Sequence, residues 1–527
     1  MTASGCGRGH MYRIGVDVGG TNTDAVVMDH RDVCAVTKVP TSPDVTHGLI
    51  EALEQVLQAA RIEPAEVELV VIGTTHFTNA VIERRHLTPT AIVRLCLPAA
   101  QSLMPMADWP ADLRAAVGEH AYLASGGVEF DGTPIRPLDP AEITRIGADI
   151  RARGIGTIAV AGIFSPVRDE FERRAAELLA AACPGASITL SSSIGQLGLL
   201  ERESASILNA SLLSLAKRTV ASLRQGVARC GLRCPMFLSQ NDGTLMDSSM
   251  AERFPVLTFA SGPTNSMRGA AFLSGEPEAI VLDIGGTTTD VGLLHLGFPR
   301  QASTTVDVGG VRTNFRMPDV FSMGLGGGSL VQDAEPHPLV GPRSVGYEIT
   351  RRARVFGGDT LTATDIAVAA GYADIGERAR VADLDASLVR GVLAAIEAKL
   401  SAAVERARTS PEPIPVIAVG GGSILMPDKL AGLRVIRPHY FGAANAIGAA
   451  IAQTSGEVDR IYSLDAMTRE AALADAEREA RRKAAKAGAV ADTITVTERE
   501  DVPLAYLRGN ATRVRVKVIG EMGTLRP

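Results

Sequence analysis

The sequence predicts an α/β protein of two related halves around a shared cleft, followed by a small α+β appendage, and three observations carry that prediction. The octapeptide DVGGTNTD from Asp17 to Asp24 returns as DIGGTTTD from Asp283 to Asp290, 266 positions further on. Each copy lies between two apolar runs, residues 12–16 and 25–28 for the first, 279–282 and 291–294 for the second, which reads as strand, tight turn, strand. Beyond each copy, strands alternate with helices of 3.6-residue periodicity. One hairpin of this composition is an ordinary turn. Two copies of equal length, so far apart, mark duplicated domains rather than a tandem array of short repeats.

In the first half, strands are expected at 12–18, 25–28 and 33–39. The helix at 44–61 follows, with Val45, Leu49, Leu53, Val56, Leu57 and Ala60 on one side. The apolar strand 67–72 runs into Gly73, Thr74, Thr75, His76, Phe77, Thr78 and Asn79, with helix expected at 80–85. That junction falls at the carboxyl edge of the sheet, where open α/β folds bind ligands. Residues 87–195 read as an elaboration of the first domain, with a strand at 158–164 and a helix at 169–182. A long helical pattern at 201–228 is the expected link between halves.

The second half repeats the three-strand opening at 279–284, 289–294 and 301–306. A helix at 387–408, a strand at 415–419, the turn of Gly420, Gly421, Gly422 and Ser423 and a helix at 443–453 follow, while the glycine-rich loop 323–329 is open enough to approach a ligand. The tail predicts an alanine-rich helix at 468–487 with a solvated charged face and strands at 493–497 and 512–519. These readings divide the chain into a flexible tail (1–10), a first domain with an insertion (11–195), a connecting helical segment (196–275), a second domain (276–458) and the appendage (459–527).

Composition narrows the function. Of 527 residues, 46% are hydrophobic, aromatics make up 4%, and the net charge is −6, which argues against nucleic-acid partners. No run of eighteen apolar residues occurs, and residues 1–10 lack the apolar stretch of a secretion signal, so the expectation is a cytoplasmic protein with no membrane partner. The six scattered cysteines fit reduced thiols rather than a disulfide framework, and neither Cys230 and Cys234 nor the histidines have the spacing of a transition-metal site.

The hairpins point to phosphate. Glycines permit positive φ and bring backbone N–H groups close to an anion, threonine hydroxyls add donors, and a leading aspartate can hold a water on magnesium. Two such hairpins suggest one nucleotide gripped between two halves, with Gly19, Gly20, Thr21, Asn22, Thr23, Gly285, Gly286, Thr287 and Thr288 as its phosphate contacts. Asp24 and Asp290 either orient water or substrate or cap their turns. His76, beside Thr74, Thr75 and Asn79, either contacts a substrate or caps the helix that follows.

Duplicated halves with a phosphate hairpin opening each and a glycine turn near the end resemble the actin, Hsp70 and sugar-kinase superfamily, whose domains are RNase H-like. Within it, the chain is most similar to the hydantoinase/oxoprolinase family, of the ATP-binding N-methylhydantoinase A type. The carrying residues are Ile14 to Thr21, Gly73 to Thr75 with Thr78 to Arg84, Glu201 to Ser204 with Leu208 to Ala210, Gln240 to Met246, Ser261 to Pro263, Asp283 to Asp290 and Gly326 to Ser329. His76 and Phe77 depart from the small apolar residues usual there, and the turn at 420–423 continues as Ile424, Leu425 and Met426 rather than in the family's usual manner.

The resemblance implies an actin-like ATPase fold and ATP with Mg²⁺ as cofactors. Asp17, Asp283, Asp24 and Asp290 would be the catalytic carboxylates, of which Asp17 and Asp283 would hold the metal largely through its waters. Gly326 and Gly327 would approach the nucleotide, and Gly420, Gly421, Gly422 and Ser423 its adenosine. Thr74, Thr75, His76 and Asn79 would meet the substrate. The implied reaction is hydrolysis of a small cyclic amide (a hydantoin, lactam or 5-oxoproline-like ring) through phosphorylation of the amide oxygen, with a second hydrolase subunit as partner; homo-oligomerisation stays open. The alternatives are a small-molecule kinase and an ATP-driven regulator hinged on the 201–228 helix.

Overall fold

A computed structural model describes residues 11–20, 22–29, 32–40, 45–302, 305–334, 338–505 and 510–523. The tail 1–10 and Thr21 lie outside them. The first hairpin opens a six-stranded sheet in the order Leu245–Asp247, Met236–Ser239, Val67–Thr74, Tyr12–Val18, Asn22–Asp29 and Asp32–Pro40. The last three strands run antiparallel to one another, whereas Val67–Thr74 and Met236–Ser239 are parallel to Tyr12–Val18 and to each other. The segment read as connecting thus contributes Met236–Ser239 and Leu245–Asp247 to this sheet.

Helix Val45–Ala60 buries Leu49, Leu53 and Val56 against Ile14, Val16 and Val27, as its period requires. The long helix Leu199–Arg229 adds Val220, Leu223 and Val227 to the same core and packs its earlier residues, Ile207, Leu208 and Leu212 among them, into a neighbouring one. It is built into the first half rather than spanning the halves as a free link. Its Glu203 forms a buried two-point pair with Arg94, both N···O distances 2.6 Å. The insertion is a four-stranded all-parallel sheet of its own, ordered His120–Ser125, Thr90–Leu97, Thr157–Gly162 and Ser187–Leu190, with a separate core.

The second sheet repeats the first. Ala279–Ile284 pairs antiparallel with Thr289–His295 and parallel with Val416–Val419, which is parallel in turn to Leu433–Ile436. The third strand is corrected: Val320–Met323, together with the short Phe298–Pro299, pairs with Thr289–His295, in place of residues 301–306. The chain between them makes a small hairpin, Val306–Val308 with Val311–Thr313, whose Val308 and Val311 pack with Phe77 and Ile207 of the first half.

Two helices cross between the sheets. Ser261–Ser274 follows the first half yet packs Met267 and Ala270 on Val281 and Val419 of the second sheet; Ala444–Ala450 belongs to the second half yet packs Ala446, Ile447 and Ala450 on Val26 and Met28 of the first. Small residues let them touch closely: a Cβ on Gly448 would lie 1.8 Å from the Asn265 carbonyl oxygen. The appendage is a three-stranded antiparallel sheet, ordered Thr454–Ser463, Ala511–Gly520 and Thr495–Pro503, and the helix Arg469–Lys486 lays Ala472, Ala476, Ala480 and Ala484 against it. Among described cysteines, Cys96, Cys183, Cys230 and Cys234 are free thiols and Cys34 is disulfide-bonded, which corrects the reading of all six as reduced.

Candidate active site

The duplication is repeated bond for bond. The Gly19 N–H donates to the Asn22 carbonyl (3.1 Å) and the Gly285 N–H to the Thr288 carbonyl (2.9 Å), closing two equivalent turns. Pairing then sets Asp17 opposite Asp24 and Asp283 opposite Asp290. None of Gly19, Gly20 and Gly285 takes a positive φ, contrary to expectation; a Cβ on Gly20 would meet nothing within 4 Å, so the missing side chain leaves open floor. Gly420 does need its freedom, with φ 81° and a Cβ that would fall 2.3 Å from Asp283 Oδ1.

Both hairpins face one cleft of about 560 Å³. Asp17, Gly19, Gly20, Asn22 and Asp24 line it from the first half, Asp283 and Gly285 to Thr288 from the second, joined by Gly327 and Gly420 to Gly422. Gly326 stands behind the second hairpin, where its Cβ would lie 2.7 Å from the Gly285 carbonyl oxygen, and the Gly327 and Gly328 N–H groups donate to the Gly285 and Gly286 carbonyls. Thr23 and Ser423 are wholly buried, and neither lines the cleft. Isoleucines 349, 375 and 424 with Phe356 and Phe441 add apolar side chains to the lining, of the kind that takes a flat ring.

Asp17, Asp24 and Asp283 line this space, and Asp290, paired with Asp283, does not. Burial, reinforced by Asp24 and Asp283 and opposed by Asn445 and Lys38, pushes Asp17 up to about 7. Asp24 and Asp283 are also raised, burial leading in both, and Asp290 is pushed up to about 6 by desolvation and by Asp283. Asn445 Nδ2 donates to Asp17 Oδ2 (2.8 Å) and to Asp24 Oδ2 (3.3 Å), and the Lys38 ammonium stands 2.9 Å from Asp24 Oδ1. Asp290 accepts from Ser322, and Ser266, which lines the cleft with Asp283, works against the rise in its pKa. The second carboxylate of each hairpin therefore faces the first across the strand pair instead of capping its turn.

Lys38, Ser266 and Asn445 were not singled out in the sequence. Each is an ordinary polar residue on a strand or helix, and only the pairing of distant elements brings it here.

The donor set suits a magnesium nucleotide. Asp17 Oδ1 is buried without a partner, the hairpins present backbone N–H groups and the Thr287 and Thr288 hydroxyls, and clustered carboxylates held above their ordinary pKa call for a cation. Among the described residues, no group of three or more His, Cys, Asp or Glu is arranged to hold a metal ion directly.

The expected substrate residues stand off the end of strand Val67–Thr74. Gly73 pairs with Asp17, and a Cβ on Gly73 would lie 2.7 Å from Asp17 Oδ1 and 2.6 Å from Asn265 Nδ2. Thr74 exchanges hydrogen bonds with Ser261 of the crossing helix, and Asn79 Nδ2 donates to Thr75 Oγ1. Thr75 is the N-cap of helix His76–Ile82 and His76 its first residue, so His76 is no cap. Burial, with His86 and against Glu83, lowers its pKa. None of these four lines the cleft itself.

Comparisons with known proteins agree with this architecture. The chain matches the hydantoinase/oxoprolinase N-terminal region over residues 13–183 and the hydantoinase/oxoprolinase region over residues 202–407. It is 27% identical over 384 residues to the caprolactamase subunit alpha of Pseudomonas jessenii, covering 68% of this chain and 54% of that one. To the acetone carboxylase beta subunit of Xanthobacter autotrophicus it is 23% identical over 399 residues, 69% and 55% of the two chains. The chain spans about half the length of the curated relatives it matches. The crystal structure of ATP-dependent caprolactamase from Pseudomonas jessenii superposes with a TM-score of 0.79 at 20% identity, over 97% of this chain and 88% of that one, and so shares the fold. Nucleotide-free acetone carboxylase gives 0.70 at 18% identity, over 98% and 89%. With both regions matched in order across more than half its length and the duplicated actin-like fold in place, the chain belongs to the hydantoinase/oxoprolinase family.

Proposed function

We propose that this chain binds ATP in the cleft and uses it to phosphorylate the carbonyl oxygen of a small cyclic amide, as the ATP-using component of a two-subunit hydrolase. The observation that carries the reading is the convergence of two equivalent phosphate hairpins and the Gly420 turn on one cleft of about 560 Å³. An amide resists water because its resonance must be broken. Transfer of the γ-phosphoryl group to the amide oxygen, with the bridging electron pair leaving on ADP, turns that oxygen into a leaving group, and water can then open the ring with release of phosphate.

Such a transfer asks the protein for positioning and charge neutralisation. The N–H groups of Gly20 and Gly286 with the hydroxyls of Thr287 and Thr288 would hold the phosphates, while Gly420 to Gly422 and the apolar side chains of the lining take the adenosine. Magnesium, held by Asp17 and Asp283 largely through water, would neutralise phosphate charge. Thr74, one step beyond the pairing of Gly73 with Asp17, and Thr75, His76 and Asn79 after it would meet the amide. Among the described residues no helix is long and apolar enough to cross a membrane; a cytoplasmic location and a second subunit are part of the proposal, the latter supported by the names of the relatives as subunits.

A second reading, ATP-driven activation of a ketone for carboxylation, is favoured by the carboxylase-subunit matches. The test is a panel of lactams, hydantoins, 5-oxoproline and ketones assayed for ADP, ring-opened acid and fixed bicarbonate, with and without the partner. Ring opening coupled to ADP release is expected. Carboxylated product would support the second reading, and a stable phosphorylated product with partner present would make the chain a kinase.

A further inference from the structure

We propose that Lys38 is a catalytic residue whose ammonium offsets the negative charge of the phosphoryl group while it passes from ATP to its acceptor, an inference that rests on the reading of the cleft as an ATP site. Strand pairing sets Gly73, Asp17, Asp24 and Lys38 side by side across four neighbouring strands. In the second half the same row reads Val419, Asp283, Asp290 and Ser322. The two central aspartates match, and the row ends differ: an ammonium in one half, a hydroxyl in the other.

That difference separates two explanations of Lys38. If an aspartate in this position needed a cation simply to be tolerated, Asp290 would need one too, yet it is served by the Ser322 hydroxyl. Lys38 therefore exceeds what the fold requires of the position. It is the single basic side chain among the described residues lining the cleft, where Asp17, Asp24 and Asp283 are its charged companions. Its side chain keeps 43% of its surface exposed, and Asp24 takes one of the three donors of an ammonium. Its field also bears on Asp17 and on Asp283 across the cleft, which puts it within range of whatever lies between the two hairpins. A phosphoryl group in flight spreads negative charge over its equatorial oxygens, and the three aspartates lining the cleft can only repel it. A cation fixed in the row beside them offsets that repulsion at the point of transfer.

The test uses the full chain. Binding of MgADP and of MgADP with aluminium fluoride, a mimic of the group in transfer, is measured by calorimetry alongside ATP turnover for wild type, Lys38→Met, Lys38→Arg, Asp24→Asn and the Asp24→Asn/Lys38→Met double variant. The expected result is MgADP affinity within about threefold of wild type in Lys38→Met, with aluminium fluoride affinity and turnover both down about 100-fold. Lys38→Arg should recover part of each, and the double variant should not regain what Lys38→Met loses. Turnover and mimic affinity within about threefold of wild type in Lys38→Met, or rescue by Asp24→Asn, would overturn the proposal and leave Lys38 a counterion. Failure of wild type to bind either nucleotide state would overturn the ATP reading itself, a separate result.

Discussion

Asn445 of the second half donates to Asp17 of the first, Nδ2 to Oδ2 at 2.8 Å, and so ties the leading carboxylate of one hairpin to a helix that arrives more than 400 residues later. Ser266, on the first crossing helix, lines the same cleft as Asp283 and holds its pKa down against burial. A helix crossing from each half thus brings a polar side chain to the leading aspartate of the other.

Asn445→Ala removes a donor from two buried carboxylates at once. It is expected to cost about 1–3 kcal/mol of folding stability and to weaken ATP binding. Urea unfolding without nucleotide, followed by calorimetry with MgATP, checks both; unchanged stability would mean that water replaces the amide at no cost.

Asp17→Asn should raise the melting temperature of the nucleotide-free protein at pH 8 and abolish ATP turnover. Burial and the neighbouring aspartates hold the Asp17 carboxyl at about 7 in the folded chain, above its ordinary value of 3.8. Its contribution to stability is therefore full below pH 4, is lost as pH rises, and is gone above 7. Asparagine escapes that loss, so thermal melts should separate variant from wild type at pH 8 and draw together as pH falls to 4. Equal melting at both values would contradict the burial of a strained charge.

The acid limit of the fold should depend on Asp242. Lys517 Nζ lies 2.8 Å from its Oδ2, and Lys517 and Thr244, outweighing burial, hold the carboxyl down at about 2. Stability from this pair is present above the ordinary carboxylate pKa near 4 and is lost as pH falls from there through 2, about 2 kcal/mol in all. Asp242→Asn should be less stable than wild type at neutral pH and should lose that difference in acid, as melts between pH 2 and 7 would show.

Gly420→Ala should abolish nucleotide binding while leaving the chain folded. Its φ of 81° and the 2.3 Å approach of an added Cβ to Asp283 Oδ1 leave no room for a methyl without moving the turn or the carboxylate. Circular dichroism and MgADP calorimetry distinguish a lost site from a lost fold.

For His76, the structure removes the helix-cap explanation, since Thr75 holds that position. His76→Asn should leave MgATP affinity within about twofold and shift KM or the preferred amide. An unaltered substrate profile across the panel would detach His76 from the amide.

What the sequence determined by itself is the local chemistry. The two hairpins were legible because an Asp-x-Gly-Gly-Thr turn between apolar runs dictates strand, turn and strand within eight residues, and because its repetition forces a duplicated fold. The helix at 45–60 was legible from its period and that at 469–486 from its alanine-rich composition, and the one at 386–407 was expected one residue further on. The third strand of the second half was not: residues 301–306 and Val320–Met323 are both short, and strand propensity does not say which will reach the edge of Thr289–His295 once the chain between them folds onto the first half. Tertiary structure alone decided the remainder of the site. Lys38, Ser266 and Asn445 carry no local signal, because a lysine on a strand or an asparagine in a helix gains its meaning from register and crossing. Two sheets with small residues packed between them bring these side chains to carboxylates that are remote in sequence.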